Sequence, residues 1–279
     1  MKKIFSTLLI ALIASLLLPI PAKASSVDYF TDFESQQPEL FYEIYEGGVH
    51  YPNLACGTDA CVFFETQGQR TFGRFVVNPS ATPGFYQNAA TSHIQLPSEP
   101  NQGPYSVTYG HPITMEAKIK WSANYDIDGL SDAQGTSGIV LWNGAVGTEG
   151  ETAEYDHIGF MWASQDVLFG AISGFMANSF VDQFPVDMSR PTLPIDINEW
   201  VKVKLVWSED INGVQSVTYS ADGQLLGTHV LPTHLEGLGL EIWNDNQEPV
   251  FCEEGICNTF PNPNQPQSFF VDYVKITQP

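Results

Sequence analysis

Short runs in which apolar and polar residues alternate recur along most of the chain. In the clearest run, Ile113–Trp121, every second residue is apolar, and the residues between are a threonine, a glutamate and two lysines. A period of two is typical of a β-strand with one buried face. Further runs rich in β-branched and aromatic residues predict strands at Asp28–Glu34, Val62–Glu65, Phe72–Val77, Ser137–Trp142, Asp156–Ala163, Val167–Ile172, Trp200–Trp207, Val214–Ser220, Leu225–Val230, Leu238–Trp243 and Phe269–Ile276.

The connections between these runs are typical of antiparallel sheets. Asp222-Gly223 predicts a hairpin turn of the primed type, and Ser164–Asp166 predicts a second tight hairpin. The segment Asn78–Pro112 predicts surface loop with at most short strands, and the proline-punctuated segment Phe180–Asn198 predicts a crossover. No sustained helical period is present, so the pattern predicts an all-β fold, a two-sheet antiparallel β-sandwich of the jelly-roll type.

The strand sequences also resemble a known superfamily. ITMEAKIKW, GTSGIVLWN, EWVKVKLVW, VTYSADGQLLG, LEIWND and VDYVKI resemble strands of the concanavalin A-like lectin/glucanase superfamily, with the laminin-G-like and family 16 glycoside hydrolase-like jelly rolls nearest in pattern. The resemblance spans roughly Asp28 to Ile276 and concerns strand pattern more than specific motifs. It implies a jelly roll with a carbohydrate ligand, a description that covers lectins, glycan-binding modules and glycosidases alike.

The first residues predict export. Lys2 and Lys3 precede the apolar run Leu8–Leu18, and a small-residue site follows at Ala22-Lys23-Ala24. These features predict a secretory signal peptide over residues 1–24 with cleavage near Ala24, and the apolar run is too short to span a membrane. We therefore expect one β-sandwich domain over residues 25–279, secreted or periplasmic and without membrane insertion.

The charge balance narrows the class of ligand. Lys and Arg number 11 against 32 Asp and Glu, a formal net charge of -21. Such a chain is a poor partner for nucleic acid or anionic membranes, and neutral ligands, cations and calcium suit it better. Alternatively, the acidity only keeps an exported protein soluble.

The four cysteines form two pairs of equal spacing, Cys56/Cys61 and Cys252/Cys257. In an exported protein they predict disulfides. Three connectivities are open, of which two local loops are the simplest. A zinc site is the less favoured interpretation, because the spacing is wider than C-x-x-C.

The first candidate for catalysis is Glu154-Tyr155-Asp156, since carboxylates two apart on a strand share a face. Family 16 glucanases carry a Glu-x-Asp-x-x-Glu strand, and the resemblance implies Glu154 as nucleophile and Asp156 as its assistant. The expected last acid is Gly159 here, and the substitutes Glu151, Glu241 and Asp245 have only their position to favour them. The alternative is a solvated acidic loop.

Aromatic residues beside amides are the second candidate. Sugars stack on exposed rings while amides and carboxylates bind their hydroxyl groups. The predicted carbohydrate-binding residues combine these groups near strand ends, while Trp121, Trp200 and Trp207 are expected in the core. They are Trp142, Asn143, Tyr155, Trp162, Trp243, Asn244 and Asp245.

A calcium site is the third candidate. Asp32 and Glu34 alternate at the first strand, and Asp272 shares the face of apolar residues in the last strand. A carboxylate there needs a partner, because burying it unpaired is costly. In the jelly-roll carbohydrate modules that this chain resembles, acids of the first and last strands often share a structural calcium. A hydrogen-bonded aspartate that closes the sandwich is the alternative.

Three functions remain open on the sequence alone. The favoured one is an exported lectin-like sandwich that binds a polysaccharide or glycoconjugate, with calcium as its structural ion. The second is a glycoside hydrolase of the family 16 glucanase type that uses Glu154 and Asp156. The third is a structural or adhesion domain without a sugar site.

Overall fold

The computed structural model describes residues 26–34, 41–46, 49–52, 54–81, 84–92, 103–130, 132–143, 156–164, 173–181, 184–252 and 255–279. These residues contain eighteen β-strands and no helix. All pairs between the strands are antiparallel. The prediction of an all-β, two-sheet antiparallel sandwich is confirmed. The predicted signal peptide lies outside the described residues, and no described helix has the length and apolar character needed to cross a membrane.

Sheet 1 has the spatial order β14-β13-β12-β7-β18-β5-β4, and β1 also pairs with β18. The long last strand, β18, contacts β7 along most of its length and divides its other edge between β5 and β1. The strands of sheet 1 are β1 Ser26–Thr31, β4 Ala60–Gln67, β5 Arg70–Val77, β7 Ile113–Trp121, β12 Val201–Glu209, β13 Gln215–Ala221, β14 Gln224–Val230 and β18 Gln267–Gln278.

Sheet 2 has the order β11-β10-β9-β8-β15-β6-β2-β3. Its strands are β2 Phe41–Glu46, β3 Val49–Pro52, β6 Asn88–Ser92, β8 Thr136–Trp142, β9 His157–Ala163, β10 Gly174–Val181, β11 Phe184–Ser189 and β15 Gly239–Asp245. A separate hairpin joins β16 Glu248–Cys252 to β17 Gly255–Thr259.

An apolar core fills the space between the sheets. On β7 the burial alternates strictly, with Ile113, Met115, Ala117, Ile119 and Trp121 all inside. The Trp121 ring packs against Phe269 of its own sheet at 4.9 Å and against Phe175 of sheet 2 at 5.4 Å between centroids. Burial of this aromatic and aliphatic surface is the main force that holds the sheets together.

Polar side chains also connect the sheets across this core. The Trp121 indole donates to Ser137 Oγ at 2.7 Å, and the Tyr219 hydroxyl donates to the Asn178 carbonyl at 2.7 Å. The fully buried His229 bridges Ser179 and Ser189 with both ring nitrogens at 2.9 Å. Burial lowers the pKa of His229, so its ring is neutral at ordinary pH. These bonds satisfy buried polar groups and fix the relative positions of the sheets.

The predicted turn at Asp222-Gly223 is confirmed. Both residues have positive φ, 48° and 79°, which a type I′ hairpin requires. The turn connects β13 to β14, two of the predicted strands.

The prediction of a crossover over Phe180–Asn198 is wrong at its start. Phe180 and Val181 end β10, and Phe184–Ser189 forms β11, the edge strand of sheet 2. Pro185 is tolerated there because an edge strand leaves one row of backbone groups without a neighbouring strand. The segment Asn78–Pro112 does contain one short strand, but that strand, β6, lies inside sheet 2 between β15 and β2.

Candidate functional site

The outer face of sheet 2 carries aromatic, apolar and polar side chains together. On β9, Ile158, Phe160 and Trp162 belong to the main core, whereas Met161 and Ala163 belong to a second cluster. Since neighbours on a strand point to opposite faces, the second cluster lies on the outer face. Its members and the residues packed against it are Met161, Ala163, Met176, Phe180, Met188 and Trp243.

Trp243 is the large aromatic residue at the centre of this face. Its cross-strand neighbours are Gly138 on β8 and Ala90 on β6. The indole lies over Gly138, where an added Cβ would come within 2.8 Å of Trp243 Cη2, and Nε1 donates to Thr136 Oγ1 at 2.9 Å. The two small neighbours leave room for the ring to lie against the sheet, and the indole is only partly buried.

A row of rings crosses one end of the same face. Phe180, His157 and Trp142 are direct cross-strand partners on β10, β9 and β8. His157 stacks on Phe180 with ring centroids 4.5 Å apart and planes inclined by 24°. Burial lowers the pKa of His157 to about 3, so the imidazole is neutral and acts as an aromatic surface. Trp142 is partly exposed at the end of the row.

Asn178 supplies a buried amide on this face. It lies on β10 between Met176 and Phe180, opposite Gly159 of β9. The residue is 0% exposed, yet neither Oδ1 nor Nδ2 has a hydrogen-bond partner. A buried amide without partners is costly, so its presence calls for an explanation such as a ligand or an ordered water.

Glu241 adds a carboxylate to the row of Asn178. Along that row the cross-strand partners are Asn178, Gly159, Val140 and Glu241, on β10, β9, β8 and β15. Gly159 has no side chain, and the neighbouring Val140 takes up the space, since a Cβ on Gly159 would come within 2.7 Å of Val140 Cγ1. Glu241 is partly exposed.

Asp245 shares the strand and face of Glu241 but has a structural environment. Its Oδ1 accepts hydrogen bonds from Thr136 N at 3.0 Å, Thr136 Oγ1 at 2.9 Å and Gln247 N at 3.1 Å. Burial raises its pKa to about 7 despite these bonds. Four residues along a strand span about 13 Å. A carboxyl pair in a glycosidase is at most about 9.5 Å apart, so these two acids do not form one.

Strand alternation separates several residues that the sequence analysis grouped. Asn244 and Trp162 are fully buried and face the core. The Asn244 amide donates to the backbone carbonyls of Phe75 and Gln267 and accepts from the Tyr125 hydroxyl at 2.9 Å. Trp162 Nε1 donates to the Asp126 carbonyl at 2.6 Å. Neither side chain reaches the outer face, where their neighbours Trp243 and Met161 lie.

Asp156 and Asn143 form a reciprocal pair where β8 ends and β9 begins. Asn143 Nδ2 donates to Asp156 Oδ2 at 2.8 Å, and the Asp156 backbone N–H donates to Asn143 Oδ1 at 2.7 Å. Asn143 is only 4% exposed, so this pair closes the strand ends. Glu154 and Tyr155, the other predicted residues of this segment, lie outside the described residues, as do residues 165–172.

Two of the three predicted calcium ligands, Asp272 and Asp32, have other partners. Asp272 accepts from Lys118 Nζ at 3.2 Å and pairs with Arg70 at 3.5 Å, while Asp32 Oδ1 accepts from the Glu34 backbone N–H. Among the described residues no three His, Cys, Asp or Glu side chains form a group that fits a metal ion. The two ion pairs give Asp272 the partner that its position requires, and calcium binding stays a prediction.

The disulfide prediction is confirmed for the first cysteine pair. Cys56 and Cys61 are joined across a five-residue separation, as the local-loop interpretation expects. Cys257 is disulfide-bonded as well, and no described cysteine is free. The side chain of Cys252 lies outside the described part.

The fold is that of known carbohydrate-active proteins. The kappa-carrageenase of Pseudoalteromonas carrageenovora, solved with an oligotetrasaccharide of kappa-carrageenan, matches at a TM-score of 0.52 and 12% identity over 94% of this chain and 100% of that chain. A structure described with endo-acting O-glycanases of the human gut microbiota that initiate mucin breakdown matches at 0.51 and 6% identity, over 90% and 99%. The Emp47p carbohydrate recognition domain is more distant, at 0.47 and 12% identity over 92% and 98%.

The first two matches show the concanavalin A-like jelly-roll fold that the strand pattern resembles. No protein-family model matches the chain, and no curated protein does.

Replacing Asn178 with leucine tests whether its amide is unpartnered. We expect Asn178→Leu to raise the free energy of unfolding by about 1–3 kcal/mol, because the variant buries no unsatisfied polar group. The matched variant Asn244→Leu should lower it by about 3 kcal/mol, because it leaves the partners of a bonded amide unsatisfied. Urea unfolding followed by tryptophan fluorescence measures both. Equal destabilisation by the two variants would contradict this account of Asn178.

The lowered pKa of His157 predicts a loss of stability in mild acid. Its pKa is lower in the folded protein than in the unfolded chain, so only the unfolded chain takes up this proton as the pH falls below about 6.5. The stabilisation is complete above that pH and declines towards pH 3. Between pH 7 and 5 the free energy of unfolding should fall by about 1–2 kcal/mol more in the unaltered protein than in His157→Phe, which keeps the stack on Phe180. Parallel pH profiles for the two proteins would show that the histidine is not buried as described.

Proposed function

We propose that the outer face of sheet 2 binds a polysaccharide or glycoconjugate. The observation that supports this most directly is one face that combines the Trp243 indole, lying against the sheet, with the unpartnered amide of Asn178. The partly exposed ring offers an apolar surface for the C–H groups of a sugar. The Asn178 amide is 0% exposed, so it would act on a sugar hydroxyl group through an ordered water rather than directly.

The remaining side chains of the face suit the same ligand. Trp142 and the stacked pair His157–Phe180 extend the aromatic surface, and Glu241 adds a strong acceptor. Met161 and Met176 pack below with flexible side chains that adjust to an irregular surface. A mainly apolar surface with few placed polar groups is the usual composition of a small-molecule or sugar site.

The structural neighbours support the same class of ligand. The kappa-carrageenase was solved with a bound oligosaccharide, and the second neighbour is described with glycanases that act on mucin. Both share this fold across nearly the whole chain, although at low identity. We also propose that the protein acts outside the cytoplasm, because the Cys56–Cys61 disulfide suits an oxidising compartment.

Removing the Trp243 ring tests the binding face. We expect Trp243→Ala to weaken retention on a polysaccharide by about tenfold, because stacked aromatic surface contributes on the order of 1–2 kcal/mol. Affinity electrophoresis through gels containing beta-glucan, carrageenan or mucin measures the change. Tyr109→Ala, at a 61% exposed ring in the loop before β7, is the control and should bind like the unaltered protein.

Retention that survives in Trp243→Ala would refute this site. If none of the three polymers retains the unaltered protein and it hydrolyses none of them, the result would instead support a structural or adhesion domain.

A glycoside hydrolase is the second candidate, and Glu241 is the observation that favours it. This carboxylate lies on the face with the aromatic residues, whereas hydrolysis needs a second carboxyl group about 5–9.5 Å away. Glu154 stays the predicted partner, outside the described residues.

Replacing Glu241 with glutamine separates the two candidates. We expect the unaltered protein to bind without shortening the polymer, and Glu241→Gln to weaken binding about threefold through loss of a charged acceptor. Reducing-end release, measured together with affinity on the same polymers, gives both values. If the unaltered protein releases reducing ends, and Glu241→Gln abolishes this release but still binds the polymer, the protein is a hydrolase instead.

A further inference from the structure

The few cationic residues of this acidic chain are concentrated on one surface. Of the eight Lys and Arg residues after position 24, all except Arg190 lie on four neighbouring strands of sheet 1. These seven residues are Arg70 and Arg74 on β5, Lys118 and Lys120 on β7, Lys202 and Lys204 on β12, and Lys275 on β18.

Strand alternation places all seven on the outer face of sheet 1. On β7 and β12 the apolar residues alternate into the core, so the lysines between them point away from it. Lys118 is the cross-strand partner of Lys202, and Lys204 and Lys275 are both partners of Glu116. We name this surface the cationic face.

Three carboxylates on the cationic face are already paired with cations. Asp272 binds Lys118 at 3.2 Å and Arg70 at 3.5 Å. Glu65 pairs with Arg74 at 2.6 Å, and Glu116 pairs with Lys202 at 2.9 Å. Among the described residues, Lys120, Lys204 and Lys275 have no carboxylate within ion-pair distance. The face therefore has a net positive charge in a protein whose formal charge is -21.

An aromatic cleft opens on the cationic face next to Lys120. It has a volume of about 310 Å³, and its lining consists of Glu65, Thr66, Gln67, Phe72, Lys120, Trp200 and Phe270. Phe72 contacts Trp200 and Phe270 edge-on, with centroids 5.6 and 5.9 Å apart. The expectation that Trp200 lies in the core is wrong, because this residue is only partly buried and lines the cleft.

Cations surround these rings. Lys118 Nζ lies 5.4 Å from the Trp200 ring, and Arg74 lies 5.6 Å from the Phe270 ring. Both cations have carboxylate partners, and the Glu65 carboxylate in the lining is neutralised by Arg74. Lys120 is thus the cation that remains available to a ligand in the cleft.

We propose that this cleft is a second glycan site, which binds an anionic sugar carrying sulfate or carboxylate groups. Trp200 provides the surface for the sugar ring, and Lys120 pairs with the anionic group. At physiological ionic strength charges more than about 8 Å away are largely screened, so the local cations outweigh the acidic remainder of the protein. The site is independent of the face on sheet 2.

The test compares dextran sulfate oligosaccharides with unsulfated dextran of the same length by isothermal titration calorimetry. We expect the sulfated probe to bind in 0.15 M salt, the unsulfated one to bind at least about tenfold more weakly, and Lys120→Met to weaken the sulfated probe about tenfold. Trp200→Leu should weaken it by a similar factor. Thermal unfolding of each variant shows whether it is folded.

Lys275→Met is the matched control, because Lys275 is an exposed, unpaired lysine on the same face but outside the cleft. It should change the affinity less than about twofold if recognition is local. Three results would each overturn the proposal. They are an equal loss of affinity for dextran sulfate in both lysine variants, equal binding of the sulfated and unsulfated probes, and no binding of dextran sulfate by the unaltered protein.

Trp243→Ala distinguishes the two proposed sites. This variant should leave the affinity for dextran sulfate unchanged, because Trp243 lies on sheet 2 and the cleft lies on sheet 1. If Trp243→Ala weakens the binding of dextran sulfate and Lys120→Met does not, the anionic sugar binds to sheet 2. That result refutes the proposed site in the cleft and leaves the first site standing.

Discussion

The apolar layer between the two sheets is the constraint on which the rest of this structure depends. Once β7 places Trp121 inside, its lysines must lie outside, and every strand that pairs with β7 follows the same alternation. On sheet 2 the burial of Ile242 and the core bonds of Asn244 likewise turn Trp243 outward. A shift of one residue in any of these strands would exchange the core with the surface, so the energy of the core fixes both outer faces.

The two outer faces differ in chemistry because they draw on different residues. The face of sheet 2 combines indoles, methionines, one buried amide and the Glu241 carboxylate. The face of sheet 1 holds nearly all the cations, and its acids are satisfied by pairing. Two packed sheets lie about 10 Å apart, which exceeds the Debye length of about 8 Å at physiological ionic strength, so salt largely screens each outer face from the exposed charges of the other.

Much of the fold could be predicted from local sequence. Long alternating strands such as β7, β12 and β18 were clear because each residue's burial is visible in its polarity. The strands that local pattern did not predict include β2, β3, β6, β11, β16 and β17, which have four to six residues each, too few for a period to emerge. The eight-residue strand β10 was not predicted either, because all of its residues are buried and no alternation of apolar and polar residues is visible. β11 also begins beside Pro185, which favours a loop in sequence and is accommodated only because the strand lies at an edge.

The sequence by itself determined the all-β sandwich and the outward lysines of β7, because each depends on residues near one another in the chain. It made the local disulfide Cys56–Cys61 the simplest of three connectivities, and the structure decided among them. Only the tertiary structure decided which aromatic and amide side chains share a surface. Trp243 and Asn244 are adjacent in sequence yet face opposite ways, while Asn178 and Glu241 are distant in sequence yet lie in one row. That difference follows from pairing across strands, which long-range core packing selects and local pattern does not encode.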